Sequence, residues 1–162
     1  MIASAEMFSL RHYPDAVLAL EAREVTDIDK GIVLLAQTMA EVMYANNGVG
    51  LAANQIGITK RVFVYDEELS GNYSVVVNPK LSLGAEMALG LEGCLSVPNN
   101  RSHVERAISC HLTGLDLNGN DIEIEATGLL ARIFQHEVDH LNGLLIIDRA
   151  QGTDSLKARY GF

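Results

Sequence analysis

His136 and His140 stand four residues apart, and Glu137 directly follows the first. On a helix, positions four apart share a face, one turn above the other. Two imidazoles placed this way reach one metal ion, and the neighbouring carboxylate reaches a water at that ion. The pattern is that of a catalytic metal centre. It sets the rest of the chain three tasks: a third ligand, a substrate groove and a donor for a developing oxyanion. The flanks support a helix. Leu129, Ile133, His136 and His140 fall on one stripe, so the histidines continue an inward face. Thr127 is the expected N-cap, and Gly143 the expected stop.

A catalytic centre of this kind takes three protein ligands and leaves one position open. In the long metallopeptidase pattern a glycine after the second histidine leads to a third histidine. Gly143 fits that glycine, but Ile146 stands where the histidine belongs. No glutamate follows His140; the only later carboxylates are Asp148 and Asp154. An ordinary metallopeptidase is weakened by these absences. Upstream, Cys94 follows Gly93 among small or polar residues. A lone cysteine reads by default as a small buried hydrophobe, but a histidine pair that needs a partner favours the soft thiolate ligand.

The stretch Gly48-Val49-Gly50-Leu51-Ala52-Ala53-Asn54-Gln55 carries little side-chain bulk, so another chain can approach its backbone. It lacks the Lys-Ser/Thr ending of a phosphate loop. Two readings stay open for it. One is a tight turn packed on the core; the other is a substrate-facing wall with Gln55 pointing into a site.

Two helices and several strands must position these groups. After a capping box at 26–29, Ile28, Ile32, Leu35, Met39 and Val42 repeat at helical spacing, with Met39 and Met43 as core fillers. Asn46-Asn47-Gly48 ends that helix. Strands are expected at 61–66, at 73–78 with Pro79 as terminator, and once or twice within 81–91. A longer strand at 103–115 places Val104, Arg106, Ile108, Cys110 and Leu112 on one face. Asn118-Gly119 is a hairpin turn, residues 121–126 return, and 144–147 form a last short strand. His12, His103 and His111 read as surface histidines, and Cys110 as a packed thiol. The pattern predicts an α+β fold: mostly antiparallel sheets packed around a central helix carrying the His-Glu-x-x-His motif.

With 162 residues, 48% of them hydrophobic, the chain is read as one catalytic domain over 1–162. A net charge of -9 argues against direct nucleic-acid or anionic-membrane partners, which need a basic surface. The start has no secretory pattern, and no apolar run is long enough to span a bilayer. A cytoplasmic location is expected, with both cysteines reduced.

Three motifs taken together resemble the peptide deformylase family. They are Gly48-Val49-Gly50-Leu51-Ala52-Ala53-Asn54-Gln55, Glu92-Gly93-Cys94-Leu95-Ser96 and Gln135-His136-Glu137-Val138-Asp139-His140. They stand in the family's order with fitting separations, and the likeness extends over about 14–148. Asn54 departs from a frequent proline, and Asn99-Asn100 from a common glycine after Pro98. The resemblance implies removal of the formyl group from N-formylmethionyl nascent peptides during co-translational processing. It implies Cys94, His136 and His140 as ligands of one divalent ion, Fe2+ in the family, with Zn2+ or Ni2+ as replacements. Ligand types alone would suggest zinc. It further implies Glu137 as general base, and the Gln55 amide and Leu95 backbone N–H as oxyanion donors. Val49, Leu129 and Ile133 are candidates for the methionine pocket, and Gly48 and Gly50 for pairing with peptide backbone. Glu92 and Asp139 are both candidates to orient a ligand, and Arg132 reads as a surface or salt-bridge residue. Many members carry a longer C-terminal helix; the short tail here argues against ribosome docking through one, leaving at most transient association. The competing readings are a metallopeptidase and a non-enzyme, either a structural metal module closed by Cys110 or His111 or an inactive deformylase-like binder.

Overall fold

The computed structural model describes residues 8–150. Helix α1 spans Lys30–Ala45. The expected box at 26–29 narrows to one cap: the Asp29 carboxylate accepts the Ile32 N–H at 3.1 Å. Ile32, Ala36, Met39 and Met43 form its buried face.

Five antiparallel strands form the main sheet: β1 (Gly50–Ala52), β2 (Val62–Tyr65), β3 (Ser74–Leu83), β6 (Ser109–Leu115) and β7 (Asp121–Thr127), in that spatial order. A separate hairpin pairs β4 (Met87–Cys94) with β5 (Val97–Ala107). Helix α2 (Gly128–Leu141) follows β7, and a short α3 (Ile146–Arg149) follows α2. The class is α+β, as the sequence pattern predicts.

The β1–β2 end of the main sheet is covered on both faces, and β2 shows why. Its side chains alternate, so Val62 and Val64 pack with α1 while Phe63 packs with Phe134, Ala131 and Ile133 of α2. The Phe63 and Phe134 rings lie 5.9 Å apart, and both are fully buried. Each such ring contributes about 1.5–3 kcal/mol of apolar burial. The hairpin has its own packing: Val97 and Val104 meet Leu18, Leu145, Ile146 and Ile147. Helix α2 thus lies where the sheet and the hairpin meet.

Several local expectations are corrected. Residues 103–115 form two strands in two sheets. The corner is Ile108, whose N–H donates to Glu86 O and whose carbonyl accepts from Gly128 N. At that corner Ile108 turns outward and is 39% exposed. Pro79 does not end β3. It sits in a bulge between Val77 and Lys80, where no ladder N–H is needed, beside Asn78 at φ +52°. Thr127 occupies the N-cap position of α2, but its side chain makes no cap bond. Residues 144–147 are not a strand; the chain turns into α3, where Asp148 Oδ2 accepts the Leu145 N–H at 2.8 Å. The expectations for the tail beyond 150 lie outside the described residues. Asn99 takes a left-handed φ of +59°, the region glycine tolerates best, which accounts for a common glycine there. His12 and His103 are exposed, and His111 is half-buried between Glu123 and Glu125. No helix among the described residues is long and apolar enough to cross a membrane.

Candidate metal centre and active site

The two histidines come from successive turns of α2, with their Nε2 atoms 3.1 Å apart. Cys94 is the last residue of β4, and its Sγ lies 3.3 Å from His140 Nε2. All three donor atoms fall within 4.8 Å of one another. A thiol sulfur and two ring nitrogens aimed at one point fit a divalent cation such as Zn2+, Fe2+ or Ni2+. One proton shared between the nitrogens satisfies only part of this set, whereas a cation satisfies every donor. Cys110 lies elsewhere, buried in the main core, and His111 is held by two glutamates on β7. Neither closes the centre, so among the described residues the three-donor set keeps an open side.

The electrostatics are asymmetric. Burial works against charge on His136, but its bonds to Cys94 and Glu92 outweigh this and hold its pKa well above the usual histidine value. Burial and the neighbouring His136 push His140 well below that value. A cation needs both nitrogens free of protons, so its binding displaces what the pair carries.

The choice between Glu92 and Asp139, open in the sequence, is decided by contact. Glu92 Oε1 accepts from His136 Nδ1 at 2.9 Å, while Arg106 donates to both Glu92 oxygens at 3.0 Å. Arg132 adds a further bond to Glu92 Oε2. Burial opposes the Glu92 charge, but His136 and Arg106 outweigh it and keep the carboxyl far below its ordinary range. The Asp139 carboxylate makes no hydrogen bond to either imidazole; it accepts from Arg106 and Arg149. Carboxylates that orient metal-binding imidazoles fix both tautomer and ring angle.

Glu137 faces the opposite way, into a cleft. Its Oε2 is buried without a protein partner. Burial raises its pKa to about 7; the positive His136 opposes the shift and Glu92 adds to it. A Cβ at Gly50 would lie 2.7 Å from Glu137 Oε1, so only glycine lets β1 come this close. Gln55 reaches the centre from the turn Ala53–Ile56. Its carbonyl oxygen accepts the Ala52 N–H at 3.0 Å, which turns its amide nitrogen towards Ser96 Oγ at 3.1 Å and Cys94 Sγ at 3.9 Å. Leu95 is the first residue past β4, in the turn between β4 and β5.

The cleft has a volume of about 450 Å³, and its walls include Gly48, Val49, Gly50, Gln55, Cys94, Leu95, Leu129, Ile133, His136 and Glu137. Of the expected ligands, catalytic groups and pocket residues, His140 is not on its wall; it sits behind, 1% exposed. Leu129 is not a core residue as its stripe predicts. It is 53% exposed, at the cleft mouth, while Ile133 is 4% exposed. Three participants escaped the sequence reading. Ser96 lies within the second motif and holds the Gln55 amide. Arg106 is a lone charge on an apolar strand face, a signal that was present. Arg132 lines the cleft instead of standing on the surface, although it does make a salt bridge.

A polypeptide deformylase family model matches residues 7–155. The chain is 42% identical over 146 residues to a peptide deformylase of Thermodesulfovibrio yellowstonii, covering 88% of each chain. It is 44% identical over 140 residues to peptide deformylase 1 of Clostridium perfringens, covering 86% of this chain and 95% of the relative. The fold is similar to the crystal structure of peptide deformylase from Thermotoga maritima, with a TM-score of 0.86 and 39% identity, covering 90% of this chain and 99% of that one. It is equally similar to a peptide deformylase from Synechococcus elongatus in complex with actinonin, with a TM-score of 0.86 and 39% identity, covering 90% and 79%.

Proposed function

Because the chain belongs to the polypeptide deformylase family, we propose that Cys94, His136, His140, Glu137, Gln55 and Leu95 carry that family's reaction here. The reaction is hydrolysis of a linear amide: the formyl group is removed from N-formylmethionyl nascent peptides and leaves as formate. The chain is thus a metal-dependent hydrolase of protein biosynthesis. One observation carries the residue roles. The Cys94, His136 and His140 donors converge within 4.8 Å on the wall that Glu137 and the Gln55 amide also face.

Cys94, His136 and His140 hold the ion, which we assign as Fe2+, with Zn2+ or Ni2+ as substitutes. When bound, such an ion supplies Lewis acidity, which polarises a carbonyl and eases proton loss from water. Glu92 fixes the His136 ring by accepting its Nδ1 proton. Glu137 takes a proton from the attacking water at Oε2, the oxygen no protein donor occupies. As the new C–O bond forms, the formyl oxygen gains charge. The Gln55 amide and the Leu95 N–H donate to that oxyanion. Glu137 then gives its proton to the departing amine nitrogen as the C–N bond breaks. Val49, Leu129 and Ile133 receive the methionine side chain, and the backbone at Gly48 and Gly50 pairs with the peptide. Residues 1–162 act as one catalytic domain in the cytoplasm; the family match over 7–155 supports the first of these assignments.

Formate release from a short N-formylmethionyl peptide tests the reading, on protein loaded anaerobically with ferrous iron. Turnover is expected, and it should nearly vanish in Glu137→Gln while ion content is unchanged. Substantial turnover in that variant removes Glu137 as the general base. Internal peptide cleavage without formate would turn the assignment towards a metallopeptidase.

A further inference from the structure

An apolar row leaves the cleft along the outer face of β4. Met87, Leu89 and Leu91 alternate along this strand and are 49%, 60% and 50% exposed. On the opposite face of the strand the Arg132 guanidinium packs over Gly90 and Glu92 is buried against His136 and Arg106, while the small Ala88 is exposed. Same-face residues on a strand recur about every 6.6 Å, so the row runs roughly 13 Å from Leu91 to Met87. Leu91 itself lines the cleft, as does Leu129 at the mouth. Across the hairpin the row is bordered by Glu105 opposite Leu89, and Arg101 continues that border at the cleft. Scattered exposed leucines need no explanation, but a row continuous with a binding cleft does.

We propose that this row is a track for the downstream residues of the formylated peptide, selecting extended segments with apolar side chains at every second position. The proposal rests on the deformylase reading and deepens it. The substrate is the start of a longer chain, so the backbone beyond the formylmethionine has to leave the cleft. An extended peptide shares the two-residue period of β4. Leaving along that strand, it lays alternate side chains on Leu91, Leu89 and Met87. Half-burying these leucine-sized groups is favourable on both sides. The net charge of -9 adds discrimination against acidic segments.

The test is a series of formyl-methionyl polyalanine peptides in which a single leucine moves from the second to the sixth position. The track requires kcat/KM for formate release to rise about three- to tenfold at alternate positions, the scale of partly burying one such side chain. Leu89→Ser and Met87→Ser should erase that gain and leave kcat/KM for formyl-methionyl-alanine unchanged. A flat profile overturns the proposal, as does a gain that survives both substitutions. A shift in oligomeric state in Leu89→Ser, with peptide preference unchanged, also overturns it and marks the row as a face between copies. Anisotropy of fluorescent, unformylated peptides from the same series reads binding without turnover. It therefore separates failure of the track from failure of the catalytic assignment.

Discussion

Gln55 shows how much chemistry one side chain gains from its second hydrogen bond. Its carbonyl oxygen is occupied by the Ala52 N–H, so its amide nitrogen has no choice but to face Ser96 and the Cys94 sulfur. A donor held this way costs no reorganisation when charge develops. Replacing Gln55 by alanine should therefore lower kcat by about 10²–10³-fold, or about 3–4 kcal/mol, and leave the ion in place. Parallel metal analysis and steady-state kinetics check this, and wild-type kcat in the variant would exclude the oxyanion role. Position and residue type were enough to single out Gln55, because it closes a motif of low bulk. They left open whether it faced a core or a site, since a polar residue at the end of a turn can do either.

At the scale of elements, the centre is assembled by holding α2 against the hairpin. Arg132 on α2 bonds Glu92 Oε2, the Val104 carbonyl at 3.1 Å and the Ala88 carbonyl at 3.1 Å. It thus ties the helix bearing both histidines to the strand bearing Cys94. Arg132→Met keeps the stem but removes every one of these donors. It should destabilise the fold by about 1–3 kcal/mol and weaken ion affinity. Denaturant melts and chelator competition measure the two separately; unaltered ion affinity would show that the tie does not shape the centre. A second joint fastens α1 to the loop after β2, where the Tyr44 hydroxyl donates to Asp66 Oδ2 at 2.6 Å. Burial and this carboxylate raise the Tyr44 pKa from 10.0 to about 12. The folded state holds the proton more tightly than the unfolded one. The joint's contribution is therefore complete below pH 10 and fades as pH rises towards 12. An alkaline titration of tyrosinate absorbance should show a late phase that Tyr44→Phe removes; an unchanged late phase in that variant assigns it to another tyrosine.

For the whole molecule, an ion held by the proposed ligands would link parts that are far apart in the chain, since Cys94 lies 42 positions before His136. Binding to the folded state alone adds about 2.7 kcal/mol at a hundredfold excess over Kd, or roughly 5–10 °C in Tm for a chain of this size. Chelation should lower Tm by that order, re-addition should restore it, and Cys94→Ser should blunt the response in thermal scans. A Tm indifferent to ion concentration would mean the donors do not bind it in the folded state. The sequence by itself determined the helix, the candidate donor residues, the antiparallel α+β class and the family likeness, because spacing on a helix and motif order are local properties. It determined the apolar face of α1 for the same reason: period and apolarity are read along the chain. Only the tertiary structure decided that Glu92, not Asp139, orients His136, and that Arg132 faces the cleft. It also decided that Leu129 lies at the mouth and that 103–115 splits between two sheets. Each of these depends on which surfaces meet in three dimensions. A charge is read as exposed until its buried partner is seen, and Glu92 finds Arg106 and Arg132 from two other elements.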